Sequence, residues 1–271
     1  MKNYIFGKSL AAAHRGHSGG NIPCNTLVSY ERALMDGAEV IELDVTKSSD
    51  GVLFCFHPGM EPVFYASPTL ITGMPAEEVK RRPLLNTDHN ETLFTAPLLD
   101  EALELLKGRC LIAVDKFWMN IPEIAEVIRH HHMEEDVMCK IQNRESCFQE
   151  ASCVALDMPL LPVVRHRDEI TEKLLKSGLK IAGMEVIFDN DKDAVASDEY
   201  IRFMHKNGLF LWVNSIIYDY REQLAGGHSD DIAIAGEPDR GWGWLIDKEF
   251  DIIQTDWIPE FLSYRKSVIG R

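Results

Sequence analysis

The sequence predicts an α/β chain folded as a single (β/α)8 (TIM) barrel with a small insertion after its second strand, and three observations carry that prediction. The chain has 271 residues, close to the roughly 250 typical of such a barrel. Eight short apolar runs recur, each followed by a stretch of helical period, which is the signature of repeated βα units rather than of a sandwich. Polar side chains gather at the C-terminal ends of those runs, where this architecture carries its chemistry. No linker, repeat or low-complexity tract divides the chain, so residues 1–271 are expected to form one domain.

The elements follow in order. Leu10–Ala13 is the first strand, and helical period runs from Asn25 to Asp36. Val40–Val45 is the second strand. Asp50-Gly51 is a hairpin turn signal, so Val52–Phe56 reads as a return strand. From about residue 60 to 96 the chain is polar and interrupted by proline, too much so for a second core, and is expected to form a lid. A helix over Leu98–Lys107 precedes the third strand, Leu111–Asp115, and one over Ile121–His131 precedes the fourth, Val137–Ile141. Leu160–Val164, a helix over Asp168–Lys176, Ile181–Phe188, a helix over Asp198–Lys206, Leu209–Asn214 and Ile252–Thr255 complete the alternation. The Gly-rich stretch Tyr218–Lys248, with Trp242 and Trp244, is long enough to overhang the same barrel end.

Composition narrows the functional classes. Forty-five per cent apolar and 26 per cent charged residues are globular values that exclude disordered, collagen-like and coiled-coil chains. Lys and Arg number 28 against 43 Asp and Glu, a net charge of −15. That charge repels phosphate backbones and anionic bilayers, so no nucleic acid and no stable membrane association are expected, and an anionic substrate must meet local positive charge. Oligomeric state is left open. Six cysteines without a C-x-x-C pair read as free thiols. The N-terminal apolar stretch is too short for a signal peptide, so a cytoplasmic location is expected and Asn90-Glu91-Thr92 is a chance triplet. Arg129-His130-His131-His132 reads as a solvated helix C-terminus, because consecutive helical residues diverge by about 100° and cannot readily share one ion.

The strand ends are rich in chemistry. They carry His14-Arg15-Gly16, Glu42 and Asp44, His57, Asp115-Lys116, Lys140 with Gln142, Arg165, Glu185, Trp212 with Asn214, and Asp256. Period-2 geometry aims Glu42 and Asp44 to one side of their strand. Converging carboxylates repel unless a proton or cation joins them. With Asp115 they make three oxygen donors without Cys or His, which favours Mg2+ or Ca2+ over zinc. The alternative is an ion-pair layer neutralised by Arg15, Lys116 and Lys140. His14 and His57 form a candidate acid and base, and two histidines, a cation and an arginine suit phosphoryl transfer. Gly16-His17-Ser18-Gly19-Gly20 lacks nucleotide-loop spacing and is expected to let backbone approach a phosphate. Trp212 divides between substrate wall and core packing.

Ala13-His14-Arg15-Gly16, Pro23-Cys24-Asn25-Thr26, Ile41-Glu42-Leu43-Asp44-Val45, Asp50-Gly51, Phe56-His57, Leu211-Trp212-Val213-Asn214 and Ile253-Gln254-Thr255-Asp256 resemble, in order and spacing, the glycerophosphodiester phosphodiesterase family. The resemblance implies a barrel of the phosphodiesterase type that cleaves a small-molecule glycerophosphodiester to glycerol phosphate and an alcohol. It implies that Glu42, Asp44 and Asp115 hold one divalent cation, Mg2+ or Ca2+, that His14 and His57 are acid and base, and that Arg15 grips the phosphate. Lys116, Lys140, Glu185 and Trp212 are the further candidates for contacts to substrate. A substrate hydroxyl next to the phosphate would attack first, giving a cyclic phosphodiester that water opens.

The sequence departs from the family pattern at three places. Cys24 replaces a glutamate, Pro58 replaces an aspartate after His57, and Asp115-Lys116 stands where the family has Glu-x-Lys. Adjacent strand residues point to opposite sides. Either the strand ends at Asp115 and the chain turns, or the third ligand or the lysine lies elsewhere, in which case Lys140 supplies the displaced charge. A lipid-headgroup phospholipase and a non-catalytic binding module on the same barrel are the alternative readings.

Overall fold

A computed structural model describes residues 5–166 and 173–269. Eight parallel strands close into a barrel: β1 (Leu10–His14), β2 (Val40–Lys47), β4 (Leu111–Asp115), β5 (Val137–Gln142), β6 (Leu160–Val164), β7 (Gly183–Val186), β8 (Phe210–Asn214) and β9 (Ile252–Thr255). β1 pairs with both β2 and β9, which closes the ring. The short strand β3 (Leu53–Cys55) returns antiparallel along β2, as the Asp50-Gly51 turn requires. The sixth barrel strand is shorter than the expected Ile181–Phe188. Ile181 and Phe188 keep only isolated bridges, to Leu160 and Ala225. The helix expected over Asp168–Lys176 lies mostly outside the described residues.

Strand alternation builds two cores. Ala11, Ala13, Ile41, Leu43, Ile112 and Val114 point outward and pack under the helices. Leu10, Ala12, Val40, Ala113, Met138, Leu161, Phe210, Trp212 and Ile252 point inward and plug the barrel. Gly183 is part of that fit, because a Cβ there would lie 2.4 Å from the Phe210 carbonyl oxygen. Inward positions nearer the C-terminal mouth change from apolar to polar: Glu42 and Asp44 follow Val40, Lys140 follows Met138, and Asn214 follows Trp212. The plug is therefore the floor of a polar cavity.

The outer helices that matter most for the mouth are α1 (Leu27–Met35), then α2 (Glu61–Phe64) and α3 (Ala76–Arg81) of the insertion, and α4 (Leu99–Leu106). α1 starts with a reciprocal cap. The Thr26 side chain accepts from Ser29 N at 3.2 Å, and Ser29 Oγ accepts from Thr26 N at 3.0 Å.

The insertion corrects one expectation, because it has an apolar core of its own. Phe54, Phe56, Tyr65, Ile71, Met74, Val79 and Leu84 are buried together, with Phe56 and Tyr65 stacked at 5.3 Å. Most of these residues come from the inserted segment itself, scattered among its polar positions. Phe54 and Phe56, at i and i+2 beside the return strand, join them. Buried Glu61 accepts from Gly59 N at 2.8 Å and Ile71 N at 2.9 Å, tying loop backbone that would otherwise lack partners.

Trp242 and Trp244 also differ from expectation. Trp242 is buried against Phe261 and donates to Asp230 Oδ1 at 2.7 Å, and Trp244 stacks on His228. Only the beginning of that long segment overhangs the mouth. His131 faces Asp100 at 2.9 Å, and the histidine run does not converge. Among the described residues no helix is long and apolar enough to cross a membrane.

Candidate active site

Parallel register brings the predicted carboxylates together. Asp44 on β2 stands beside Asp115 on β4, and His14 on β1 beside Glu42 on β2. One oxygen each of Glu42, Asp44 and Asp115 lies within 4.8 Å of the others. The Asp115-Lys116 alternative resolves as a turn. β4 ends at Asp115, and Lys116 adopts a left-handed conformation with φ 60°. That swings its ammonium back to Asp115 Oδ2 at 2.6 Å and to within 3.7 Å of Asp44 Oδ1.

Asp44 is the best-supported of the three. Its Oδ2 takes the Arg15 guanidinium at 2.8 Å and the Asn25 side-chain amide at 2.9 Å. Asn25, itself left-handed at φ 54°, also accepts from Asp44 N at 3.2 Å and from the Tyr30 hydroxyl at 3.0 Å. Asp44 Oδ1 is buried and receives no hydrogen bond within the described residues. A buried carboxylate oxygen without a hydrogen bond, in a cluster with two further carboxylates, fits a cation that takes oxygen ligands.

The charges are strongly coupled. Burial, then the neighbouring Asp44 charge, raises the Glu42 carboxyl to about 7. Burial would raise Asp44 as well, but Arg15, Lys116 and His57 outweigh it and hold that carboxyl below the ordinary range. At neutral pH the pair is thus an ionised Asp44 beside a partly protonated Glu42. Burial also lowers Lys140, yet Glu185, Glu42 and Asp115 hold it above the ordinary lysine value.

Lys140 and Glu185 form a buried ion pair at 2.9 Å, extended by Asn214 Nδ2 to Glu185 Oε1 at 2.7 Å and by Lys140 Nζ to Gln254 Oε1 at 3.2 Å. These residues, with Trp118 from the β4 turn, line a cavity of about 210 Å³ above the barrel plug. Of the two readings, substrate wall and core packing, Trp212 shows core packing in the plug beneath the cavity. It is fully buried, donates from Nε1 to Asn214 Oδ1 and Gln254 Oε1, and carries the Lys140 ammonium 4.5 Å above its ring.

The two histidines have different surroundings. His14 Nδ1 lies 2.8 Å from Asp256 Oδ1, and since a carboxylate only accepts, Nδ1 is the donor. The Tyr218 hydroxyl sits 3.0 Å from His14 Nε2. Asp256 is fixed in turn by buried Asp230, which accepts from Asp256 N at 2.9 Å. His57 Nε2 faces Asp44 Oδ1 at 3.9 Å, and His57 Nδ1 is buried without a hydrogen-bond partner, next to the proline that replaces the family's aspartate. Burial lowers the His57 pKa, which favours its neutral imidazole.

Gly16 serves a purpose other than the expected one. At φ 79° its missing Cβ would lie 2.6–2.8 Å from Ser29, and His17 N donates to Ser29 O at 2.8 Å. The glycine is needed to seat α1 against the first strand-end turn. Sequence reasoning quoted Asn25 in a motif without giving it a role, and overlooked Tyr30, Trp118 and Tyr218. Of these only Asn25 carried a signal, as a residue able to adopt the left-handed conformation just before a helix cap.

Comparisons with known proteins give the family and the fold. The model of the glycerophosphoryl diester phosphodiesterase family matches residues 14–199, and one for a domain of unknown function matches residues 158–265. A glycerophosphodiester phosphodiesterase of Bacillus altitudinis is 36% identical over 132 residues, 48% of this chain and 51% of the relative. The chain thus spans about half the length of that curated relative. A crystal structure of a glycerophosphoryl diester phosphodiesterase from Parabacteroides distasonis superposes with a TM-score of 0.78 at 18% identity, covering 98% of this chain and 91% of that one. An Oleispira antarctica phosphodiesterase, solved with the product sn-glycerol-3-phosphate, superposes with a TM-score of 0.68 at 19% identity, covering 98% and 99%.

Proposed function

The chain belongs to the glycerophosphoryl diester phosphodiesterase family, and from that membership we propose that it hydrolyses small-molecule glycerophosphodiesters to glycerol phosphate and an alcohol. The observation that carries the reading is the convergence of Glu42, Asp44 and Asp115 with His14, His57 and Arg15 at one barrel mouth. Free thiols on all six cysteines suit a cytoplasmic enzyme.

Glu42, Asp44 and Asp115 would hold one divalent cation, with Mg2+ and Ca2+ both compatible with an all-oxygen set. When bound, such an ion lowers the pKa of a substrate hydroxyl and offsets charge on phosphate oxygens. Arg15 and Lys116 lend positive charge to the same spot, which answers the problem an anionic substrate faces on a chain of net charge −15. The Lys140–Glu185–Asn214 group offers donors and acceptors to a glycerol moiety above the Trp212 floor.

Proton traffic divides between the histidines. His57, neutral and 3.9 Å from Asp44, takes the proton of the glycerol hydroxyl that attacks phosphorus. His14, oriented by Asp256, gives a proton to the departing alcohol. The cyclic phosphodiester so formed is opened by water with the roles reversed, as microscopic reversibility requires. Incubation with Mg2+ or Ca2+ and a panel of glycerophosphodiesters should release glycerol phosphate. No release from any diester, with metal binding verified, would overturn the reading.

A further inference from the structure

The Tyr218 hydroxyl lies on the ring nitrogen that His14 needs for chemistry. Nδ1 is committed to Asp256, so Nε2 alone can exchange a proton with substrate, and Nε2 is 3.0 Å from Tyr218. An imidazole nitrogen has one hydrogen-bonding direction, in the plane of its ring. A substrate oxygen and the Tyr218 hydroxyl cannot both occupy it.

Tyr218 rides on a strap anchored chiefly at its two ends. Ile216 and Leu224 root it in a small buried cluster with Ile187, while Tyr218 itself is 64% exposed. Its outer end is held by an exposed Arg165–Glu222 ion pair at 2.8 Å across the mouth, a kind of contact that stabilises little. The Tyr218 ring also receives the Arg15 guanidinium at 5.7 Å. It borders the cavity above the plug, whereas His14 borders a second one of about 380 Å³ beside Asp256 and Trp257. Their hydrogen bond therefore joins a residue of each cavity.

We propose that Tyr218 is a gate: its hydroxyl blocks His14 Nε2 at rest, and the strap from Ile216 to Leu224 opens when the oxygen of the departing alcohol takes its place. The proposal deepens the phosphodiesterase reading and rests on it for the substrate's role. The blocked atom can be tested without substrate.

Carbethoxylation of His14 by diethyl pyrocarbonate, mapped by mass spectrometry, reads the availability of the imidazole. Tyr218→Phe, which keeps the ring, should speed modification of His14 about two- to tenfold, the value of one neutral hydrogen bond, and Glu222→Gln, which releases the other end of the strap, by a smaller factor, at most about fivefold. His205, far along the sequence on a surface helix and paired with Asp251, serves as the internal control and should not change. With glycerophosphodiesters, Tyr218→Phe should raise kcat/KM by a similar factor. Unaltered His14 reactivity in both variants would overturn the gate. So would a tenfold or greater fall in kcat/KM for Tyr218→Phe, which would make the hydroxyl a participant in the reaction. Faster His14 modification in a protein that turns over no diester would keep the blocking contact and refute the phosphodiesterase reading alone.

Discussion

Asn25 grips Asp44 from two directions, donating to its Oδ2 at 2.9 Å and accepting from its backbone N–H at 3.2 Å. This fixes the carboxylate and leaves Oδ1 without a hydrogen bond among the described residues. Outer partners of metal ligands commonly contribute 10- to 100-fold in affinity. Asn25→Ala should therefore weaken Mg2+ or Ca2+ binding by about 10- to 100-fold, with activity partly recovered at high metal concentration. Calorimetric titration of the two proteins checks it, and equal affinities would show that Asp44 needs no such support.

Glu42 gives the site a pH signature. Its folded-state pKa is raised by burial and then by Asp44, to about 7. In the metal-free protein, stability from protonated Glu42 is complete below its ordinary pKa, and is lost as pH rises through about 7. Glu42→Gln should thus gain in Tm relative to the parent as chelated samples are taken from pH 5 to pH 8. Metal binding has the opposite sign, because the ligand must be ionised. Binding at pH 6 should release protons, seen as a dependence of the calorimetric heat on buffer ionisation enthalpy, and the release should shrink by pH 8.

His57→Ala should separate chemistry from binding. A positioned general base contributes about 10²- to 10⁴-fold, so turnover should fall by that order while metal affinity stays near the parental value. Near-native turnover would reassign the base.

The Lys140–Glu185 pair is buried at 2.9 Å, and removing one partner strands the other's charge. Lys140→Met should cost about 3–5 kcal/mol in denaturant unfolding. Lys140→Met combined with Glu185→Gln should cost less than Lys140→Met alone. A double variant less stable than the single would mean that neighbours such as Asn214 already compensate Glu185.

The fold and the outline of the site were legible because they depend on periodicity. Eight apolar runs gave eight barrel strands, and the i, i+2 spacing of Glu42 and Asp44 put both in the mouth. Features that depend on a single dihedral or a long-range contact were not legible. The reversal at Lys116 rests on one left-handed residue, and Tyr218 reaches His14 across 204 positions of sequence. Trp212 was ambiguous because a strand-end tryptophan can face either cavity or plug, and only the stagger of neighbouring strands decides. The core of the insertion escaped because its apolar residues are scattered among polar ones and prolines, and they close into a cluster only around Phe54 and Phe56, which lie outside the insertion.

The central claim is that three carboxylates and two histidines at one mouth make a cation-dependent phosphodiesterase. Glycerol phosphate release from glycerophosphodiesters, followed for the parent and Asp44→Asn with and without chelator, tests it most directly. The expected result is turnover by the parent that chelator abolishes and Mg2+ or Ca2+ restores, with little or none from Asp44→Asn at any metal concentration. Equal turnover by parent and variant, or full activity in chelator, would contradict the account.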